Sequence, residues 1–143
     1  MRIALSLALA LAAAGCAQLP PGPQDARAKR FEPLPDKAVI YIVREIPELN
    51  GLHATLVLDD RVAVPTYTGT FYRWETAPGR RRIAGFAADG AAITIHAEPG
   101  KLYFVQQIML PGASSAQSLL QLVDERYGRA LVLRGAGEIL ATP

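Results

Sequence analysis

The stretch "AVIYIVR" at residues 38–44 decides the fold class of this chain. It is a continuous run of β-branched and aromatic residues, with Pro35 before it and Pro47, Asn50 and Gly51 after it. A short apolar run bounded by turn residues is typical of a strand that is buried. We therefore predict a buried strand here and extend the interpretation outward from it.

Six more strand-like segments follow this run, separated by turn residues. They are "ATLVL" (54–58), "RVAVP" (61–65), "GTFYRWET" (69–76), "APGRRRIAGFA" (77–87), "AAITIHA" (91–97) and "PGKLYFVQQIM" (99–109). Asp59 with Asp60, and Asp89 with Gly90, are turn pairs that predict hairpins. Short strands at this spacing favour an all-β sandwich or barrel.

The segment "GTFYRWET" alternates between two kinds of side chain. Successive side chains of a strand point to opposite faces of the sheet. We therefore expect Phe71, Arg73 and Glu75 to share the face that points to water, and Tyr72 and Trp74 to point inward.

Two interpretations of the C-terminal segment remain open. In the first, a strand at 118–123 precedes a short helix whose N-cap is Asp124. In the second, a helix begins near Ser114, uses Gln117 in a capping box and ends at Gly128. We favour the first. The sequence thus predicts a mainly β fold, a small antiparallel β-sandwich-like domain of seven to eight strands with a short C-terminal helix.

The first 15 residues have the pattern of a signal peptide. Arg2 supplies a positive charge, and residues 3–14 are apolar except for Ser6. As a helix these twelve residues would span roughly 18 Å, which is short of the roughly 30 Å hydrocarbon layer of a bilayer. We therefore predict a signal peptide at residues 1–15 rather than a permanent membrane span.

Cys16 is the only cysteine of the chain, and small residues precede it directly. The sequence "AAGC" resembles the lipobox of bacterial lipoproteins, although Ala13 stands where a leucine is usual. The resemblance implies that Cys16 becomes a lipidated N-terminus, and Ala17 after it implies sorting to the outer membrane. The alternative is an ordinary secretory signal cut at a nearby Ala-x-Ala site, which leaves Cys16 as a free or absent thiol.

Residues 16–37 are rich in proline and poor in large apolar side chains. Such a segment is typical of an extended linker, because it cannot bury enough apolar surface to order itself. We therefore predict three parts: the signal peptide, a lipidated Cys16 with a Pro-rich tether up to residue 37, and a single β domain at residues 38–143.

Charge and length limit the classes of partner. The 143-residue chain has room for one domain, and its 15 Lys and Arg against 13 Asp and Glu give a net charge of +2. A nucleic-acid binder normally shows a denser basic footprint, so we expect no nucleic-acid partner.

Four stretches in order, "AVIYIVRE", "APGRRRI", "PGKLYFV" and "LLQLVDERYGRALV", resemble a family of small bacterial lipoproteins and exported proteins catalogued as domain of unknown function 2846. The resemblance covers residues 38–134. Arg81 stands where the family commonly has histidine, and Asp60 where its first hairpin usually has glycine. The resemblance implies a compact β-sandwich-like accessory domain and carries over no catalytic residue.

The two histidines, His53 and His96, are far apart in the sequence. A zinc site would require them to meet a carboxylate such as Glu48, Asp89 or Glu98. His96 alternates with small and polar residues on the expected solvent side of its strand. We therefore predict no metal site and no cofactor.

A catalytic residue set is not apparent either. Ser114, Ser115 and Ser118 are the candidate nucleophiles, but no Gly-x-Ser-x-Gly elbow is present. The adjacent Asp59 and Asp60 point their side chains apart, unlike the paired carboxylates of glycosidases, so a turn explains them better. We therefore assign no catalytic residue.

Arg80, Arg81 and Arg82 form the one charged cluster that suggests binding. Arginine holds phosphate and carboxylate groups through two parallel hydrogen bonds, so these residues are a candidate site for an anion or a partner. The competing interpretation is a solvated strand entry that discourages edge pairing. Alternation assigns Tyr72 and Trp74 to the core rather than to a sugar-binding surface.

The sequence therefore predicts a lipid-anchored accessory or binding domain at the outer membrane, facing the periplasm, without catalytic activity of its own. Its partners would be the membrane, through the N-terminal lipid, and an envelope protein or glycan. The alternative is an envelope hydrolase acting on peptidoglycan or glycans, which would use Glu98, His96 or a nearby carboxylate. A third interpretation is a subunit of an envelope complex, which an exposed sheet edge or apolar patch would support.

Overall fold

The computed structural model describes residues 22–45, 53–87, 89–110, 117–134 and 137–138. Within them, two helices and nine strands follow in this order: α1 Pro23–Ala28, β1 Ala38–Arg44, β2 Ala54–Leu58, β3 Val62–Thr66, β4 Thr70–Thr76, β5 Gly79–Gly85, β6 Ala92–Ala97, β7 Leu102–Leu110, β8 Gln117–Val123, α2 Glu125–Leu133 and β9 Gly137–Glu138. The mainly β fold with a short C-terminal helix is confirmed.

The strands form two sheets of a small sandwich. The five-stranded sheet has the order β8-β7-β1-β4-β9, and the four-stranded sheet has the order β3-β2-β5-β6. All pairs are antiparallel except β1 with β7 and β4 with β9. The chain leaves β6 in the four-stranded sheet and enters β7 in the five-stranded sheet. There β7 runs parallel to its neighbour β1, which makes this sheet mixed.

Strand β1 is buried along its whole length because both of its faces are covered. Val39, Tyr41 and Val43 belong to the outer cluster, which lies between the five-stranded sheet and the two helices. Ile40 and Ile42 belong to the inner cluster, which lies between the two sheets. A strand with no face toward water is expected to be apolar, and this accounts for the unbroken run from Ala38 to Val43. Arg44, the last residue of β1, is also buried, and its Nη1 donates a hydrogen bond to the Thr66 carbonyl oxygen at 2.9 Å.

The two clusters have separate members. The outer cluster consists of Ala28, Phe31, Val39, Tyr41, Val43, Phe71, Phe104, Leu131 and Val132. The inner cluster consists of Ile40, Ile42, Leu56, Leu58, Val64, Ile83, Ile95 and Val105. The fold therefore has three layers, with helices on one side of the five-stranded sheet and the four-stranded sheet on the other.

The predicted hairpins are present. Strands β2 and β3 pair through Asp59 and Asp60, which both adopt positive φ angles of 49° and 56°. Positive φ at both central residues is the feature of the tight hairpin turns that match the twist of a sheet. Strands β5 and β6 also pair antiparallel, on either side of Asp89 and Gly90.

The C-terminal segment follows the first of its two interpretations. Strand β8 precedes α2, and the Asp124 carboxylate accepts a hydrogen bond from the Tyr127 N–H at 2.9 Å, as an N-cap does. Gln117 lies in β8, so the alternative of a capping box there is wrong. Ser114 and Ser115 lie outside the described residues.

One face of β4 differs from the prediction. Phe71 is completely buried in the outer cluster, and the Arg73 side chain is only 13% exposed, so the expectation that this face points to water is wrong for both residues. The physical reason is the helical layer, which covers a face that an isolated two-sheet sandwich would leave open. Tyr72 and Trp74 pack against the inner cluster as predicted.

The prediction of an extended tether is wrong for residues 22–37. This segment contains α1, and Ala28 and Phe31 are buried in the outer cluster. Helix α1 begins with Pro23, at a position where the backbone N–H has no acceptor within the helix, so proline costs nothing there. Nζ of Lys29 lies 2.8 Å from Oδ2 of Asp25, one turn earlier. Residues 22–37 are therefore part of the folded domain. No helix within the described ranges has the length and apolar character needed to cross a membrane.

Phe31 provides the first test of this boundary. Its ring centroid lies 5.4 Å from that of Tyr41 and 5.9 Å from that of Phe104. Truncating a buried phenylalanine removes these contacts and leaves a cavity, so Phe31→Ala should lower the free energy of unfolding by about 3–5 kcal/mol in urea titrations. Phe86→Ala is the control, because Phe86 is 61% exposed and its loss should matter little. Equal effects of the two variants would contradict the docking of this segment.

Gly128 provides a second test, of the contact between α2 and the five-stranded sheet. A Cβ at Gly128 would lie 2.2 Å from Cγ of Phe104, and Phe104 stacks on Tyr41 at 5.1 Å, so neither ring has room to move. Alanine normally favours a helix over glycine by about 1 kcal/mol. We nevertheless expect Gly128→Ala to destabilise the protein by roughly 1–3 kcal/mol in urea unfolding, because overpacking outweighs helix propensity.

Gly90→Ala is the matched control for this substitution, since a Cβ at Gly90 has open space around it. It should leave the stability unchanged or slightly increased, because alanine restricts the unfolded chain. A Gly128→Ala variant as stable as the control would mean that α2 does not pack as closely on Phe104 as described.

Candidate functional site

The three predicted arginines lie at the start of β5, where the chain passes from one sheet to the other. Gly79 has φ +119° and makes this passage, in a conformation that favours glycine. Alternation along β5 then places Arg81 on the same face as the buried Ile83, toward the space between the sheets. Arg80 and Arg82 lie on the opposite face. The three arginines therefore do not share one face of β5, although Arg80, near the start of the strand, lines the same cleft as Arg81.

The hairpin turn between β2 and β3 is fastened to β5 by Asp59. Its Oδ2 accepts a hydrogen bond from Nη1 of Arg81 at 2.7 Å, and its Oδ1 accepts one from the Arg82 N–H at 2.8 Å. Asp60 forms an exposed ion pair with Arg82. The structure thus gives the two acidic residues of the turn a second role, because they hold the hairpin against the neighbouring strand.

A cleft of about 400 Å³ opens between this hairpin and the end of β4. It is lined by the apolar side chains of Leu58, Val62 and Trp74 and by the polar side chains of Asp59, Arg61, Thr76, Arg80 and Arg81. Arg82 does not line it. Two of the three arginines that the sequence singled out, Arg80 and Arg81, therefore line the cleft.

Sequence reasoning missed Arg61 and the role of Trp74 in this cleft. Arg61 comes directly after the hairpin turn, and it reaches the cleft because Leu58 of β2 pairs with Ile83 of β5. That pairing joins segments about 25 positions apart, and no local pattern specifies it. Trp74 packs against the inner cluster as predicted, but it is only partly buried and also lines the cleft.

A second polar site lies where α1 meets β9 on the five-stranded sheet. Oδ1 of Asp25 accepts a hydrogen bond from the Glu138 N–H at 3.0 Å. The Tyr41 hydroxyl donates to the Ala28 carbonyl oxygen at 2.7 Å and accepts from Nε of Arg73 at 3.2 Å. Burial raises the pKa of Tyr41, which keeps this hydroxyl a donor at neutral pH. These contacts fasten the N-terminal segment to the sheet.

Burial also raises the pKa of Glu138 above its ordinary value, and one of its carboxylate oxygens is completely buried. The nearby guanidinium groups of Arg73 and Arg27 act in the opposite direction, and the carboxylates of Asp25 and Glu75 raise the pKa further. The folded protein therefore favours the neutral form of Glu138 more than water does.

The histidines do not come together with the carboxylates considered for a metal site. His53 is exposed, with its ring centroid 6.4 Å from that of Tyr67, and His96 is exposed on β6 opposite Arg80. Within the described ranges, no group of three or more His, Cys, Asp or Glu side chains is placed to hold a metal ion. Glu48 lies outside those ranges.

The residues of the hydrolase alternative have structural contacts. The Tyr103 hydroxyl donates to the His96 carbonyl oxygen at 3.2 Å and accepts from the Glu98 N–H at 3.0 Å. Both contacts are to backbone groups of His96 and Glu98, not to their side chains. Oγ of Ser118 accepts a hydrogen bond from Gln107 at 2.9 Å. The Ser118 N–H lies 3.0 Å from both carboxylate oxygens of Asp89, a contact that joins the two sheets.

Cys16, the predicted lipidation site, lies outside the described residues. The comparisons with known proteins return no match: neither a protein-family model nor a curated protein matches this chain. The resemblance to domain of unknown function 2846 therefore stays a prediction.

Glu138 gives a pH-dependent prediction for the contact between α1 and β9. Because its pKa is raised in the folded state, Glu138 favours folding most at a pH below its ordinary value of about 4.3, and this contribution is lost as the pH rises through the raised value. Glu138→Gln removes the titration. Urea unfolding at about pH 4 and about pH 7.5 should therefore show the variant gaining stability relative to wild type at the higher pH.

Glu98→Gln is the control, since Glu98 is exposed and, among the residues that the structure describes, its hydrogen bond to the Tyr103 hydroxyl is made by its backbone N–H and not by its side chain. Its stability relative to wild type should depend much less on pH. If the Glu138→Gln variant instead lost stability relative to wild type as the pH rose, the ionised form would be the one that the fold favours.

Proposed function

We propose that the protein is a lipid-anchored domain of the cell envelope, acylated at Cys16 and held at the outer membrane with its folded part in the periplasm. It acts by binding and has no catalytic activity of its own. The observation that carries this proposal is the pattern of residues 1–16, in which a charge, an apolar run and small residues lead to the sole cysteine. A bilayer holds two or more acyl chains stably, whereas one chain binds only marginally.

The docking of α1 changes how such an anchor would hold the domain. Only five residues lie between Cys16 and Gly22, where the described domain begins. Fully extended, the six steps from Cys16 to Gly22 reach about 20 Å. A tether that extends to residue 37 would have had a reach several times longer. The proposed anchor therefore keeps the domain beside the membrane surface instead of on a long leash.

The topology also orients the cleft relative to this anchor. Through Asp25 the start of α1 contacts β9, and β9 pairs with Thr70 and Phe71 at the beginning of β4. The cleft is lined by Thr76 at the other end of β4. Six strand residues span about 20 Å, so the cleft lies at the end of the sandwich remote from the anchored segment. In the proposed setting it opens toward the periplasm.

The side chains of the cleft favour binding over catalysis as its role. Guanidinium, indole and hydroxyl groups recognise and hold a ligand, and the carboxylate of Asp59 is already engaged by Arg81 and Arg82. A general acid or base needs a titratable group that is free to exchange a proton with the substrate. No observation favours the hydrolase alternative in the same way.

The anchor is tested by Cys16→Ser. We expect this variant to lose incorporation of labelled palmitate and to leave the outer-membrane fraction, while its urea unfolding curve matches wild type, because both hydrophobic clusters consist of residues that follow Cys16 in the sequence. Gln18→Ser is the control for a serine in the same segment and should keep both the label and the membrane fraction. A Cys16→Ser protein that still fractionates with the outer membrane, or an unlabelled wild type, would refute the lipid anchor.

A further inference from the structure

The cleft between the β2–β3 hairpin and the end of β4 is lined by more positive than negative side chains. Three arginines line it, and Asp59 is the one carboxylate among its lining residues. Asp59 pairs with Arg81 at 2.7 Å. Arg61 and Arg80 are exposed, and neither has an ion pair or side-chain hydrogen bond within the part of the chain that is described. Two guanidinium groups are thus available to a ligand.

Arg81 forms a fixed wall of this cleft. Its Nη1 is held by Asp59, with Oγ1 of Thr76 at 3.4 Å, and its side chain is 24% exposed. Its Nε is buried and has no hydrogen-bond acceptor in the described part of the chain. Because this Nε is buried, a ligand in the cleft cannot reach it, and Arg81 shapes the wall of the cleft while the anion contacts fall to other residues.

Trp74 gives the cleft a flat apolar surface beside these charges. The electron-rich face of an indole attracts the weakly positive C–H groups that cover one face of a sugar ring. A volume of about 400 Å³ lies within the usual range for small-molecule sites and fits one or two sugar rings. Arginine next to an indole is therefore complementary to a ring that bears an oxyanion.

We propose that this cleft binds a sugar that carries a carboxylate or a phosphate. Arg61 and Arg80 contact the oxyanion, Trp74 packs against the ring, and Thr76 offers its hydroxyl to the ring oxygens. Guanidinium groups match the planar pair of oxygens of both kinds of anion. This inference rests on the proposed role as a binding domain, but it does not depend on acylation of Cys16.

The sole tryptophan of the chain makes the proposal measurable, because tryptophan fluorescence then comes from one residue, Trp74, which lines this cleft. The full chain is purified in detergent from whichever fraction holds it and is titrated with glucuronate, glucose 1-phosphate and glucose. We expect a saturable change with at least one of the two anionic sugars, and at least tenfold weaker binding of glucose. The sugar that binds more tightly identifies the anion as a carboxylate or a phosphate.

Variants locate the binding. Arg61→Gln and Arg80→Gln should each lower the affinity for the anionic sugar about tenfold, which is the effect of losing one charge-assisted hydrogen bond. Arg126→Gln is the control, because Arg126 is exposed on α2, outside the cleft, and its loss changes the net charge equally. Urea unfolding curves that match wild type confirm that each variant is folded.

Three results would overturn the proposal: no saturable response to either anionic sugar, a response to glucose of equal affinity, or equal weakening by Arg126→Gln. A hexaglutamate peptide is titrated in parallel, and its binding in the absence of sugar binding would replace the sugar by an acidic protein partner. Palmitate labelling is measured on the same protein preparation. The lipid anchor and the sugar site therefore succeed or fail separately.

Discussion

The fold depends on the burial of one strand on both of its faces. Strand β1 has helices over its odd-numbered side chains and the four-stranded sheet over its even-numbered ones. An apolar strand in this position gains from burial on each side, at about 25 cal/mol for each Å² removed from water. Either layer alone would leave half of its side chains in water. The other elements of the domain can be understood as the two covers that β1 requires.

The helical cover explains why the N-terminal segment is part of the domain. Helix α1 has only six residues and would not be stable in isolation. It is held by the Phe31 ring among Tyr41 and Phe104, and by the guanidinium of Arg129 at 4.7 Å from the Phe31 ring centroid. Proline content and charge indicated a linker, and that prediction failed because a few side chains, Phe31 and Ala28 in the outer cluster and Asp25 at β9, fasten the segment to the sheet.

The sequence predicted most of the strands because their signals are local. Apolar alternation, Asp and Gly turn pairs and the Asp124 cap each act within a few residues, and the structure has the corresponding elements. Local signals do not predict the order of the strands in the sheets. The pairing of β2 with β5 and of β1 with β7 depends on contacts between distant segments. The cleft is made by such pairings, which is why Arg80 and Arg81 were found by inspection and Arg61 was not.

The contact between Asp25 and Glu138 has a consequence for the order in which the chain becomes native. It joins residues 113 positions apart, and Leu131 and Val132 of α2 pack in the same cluster as Phe31. Contacts of such long range are slow to form, because the intervening loop entropy is lost before they stabilise anything. The first helix thus finds its site only after nearly the whole chain has been synthesised. If the chain is exported unfolded, as the proposed function implies, this delay keeps it open during its passage and postpones compaction until arrival.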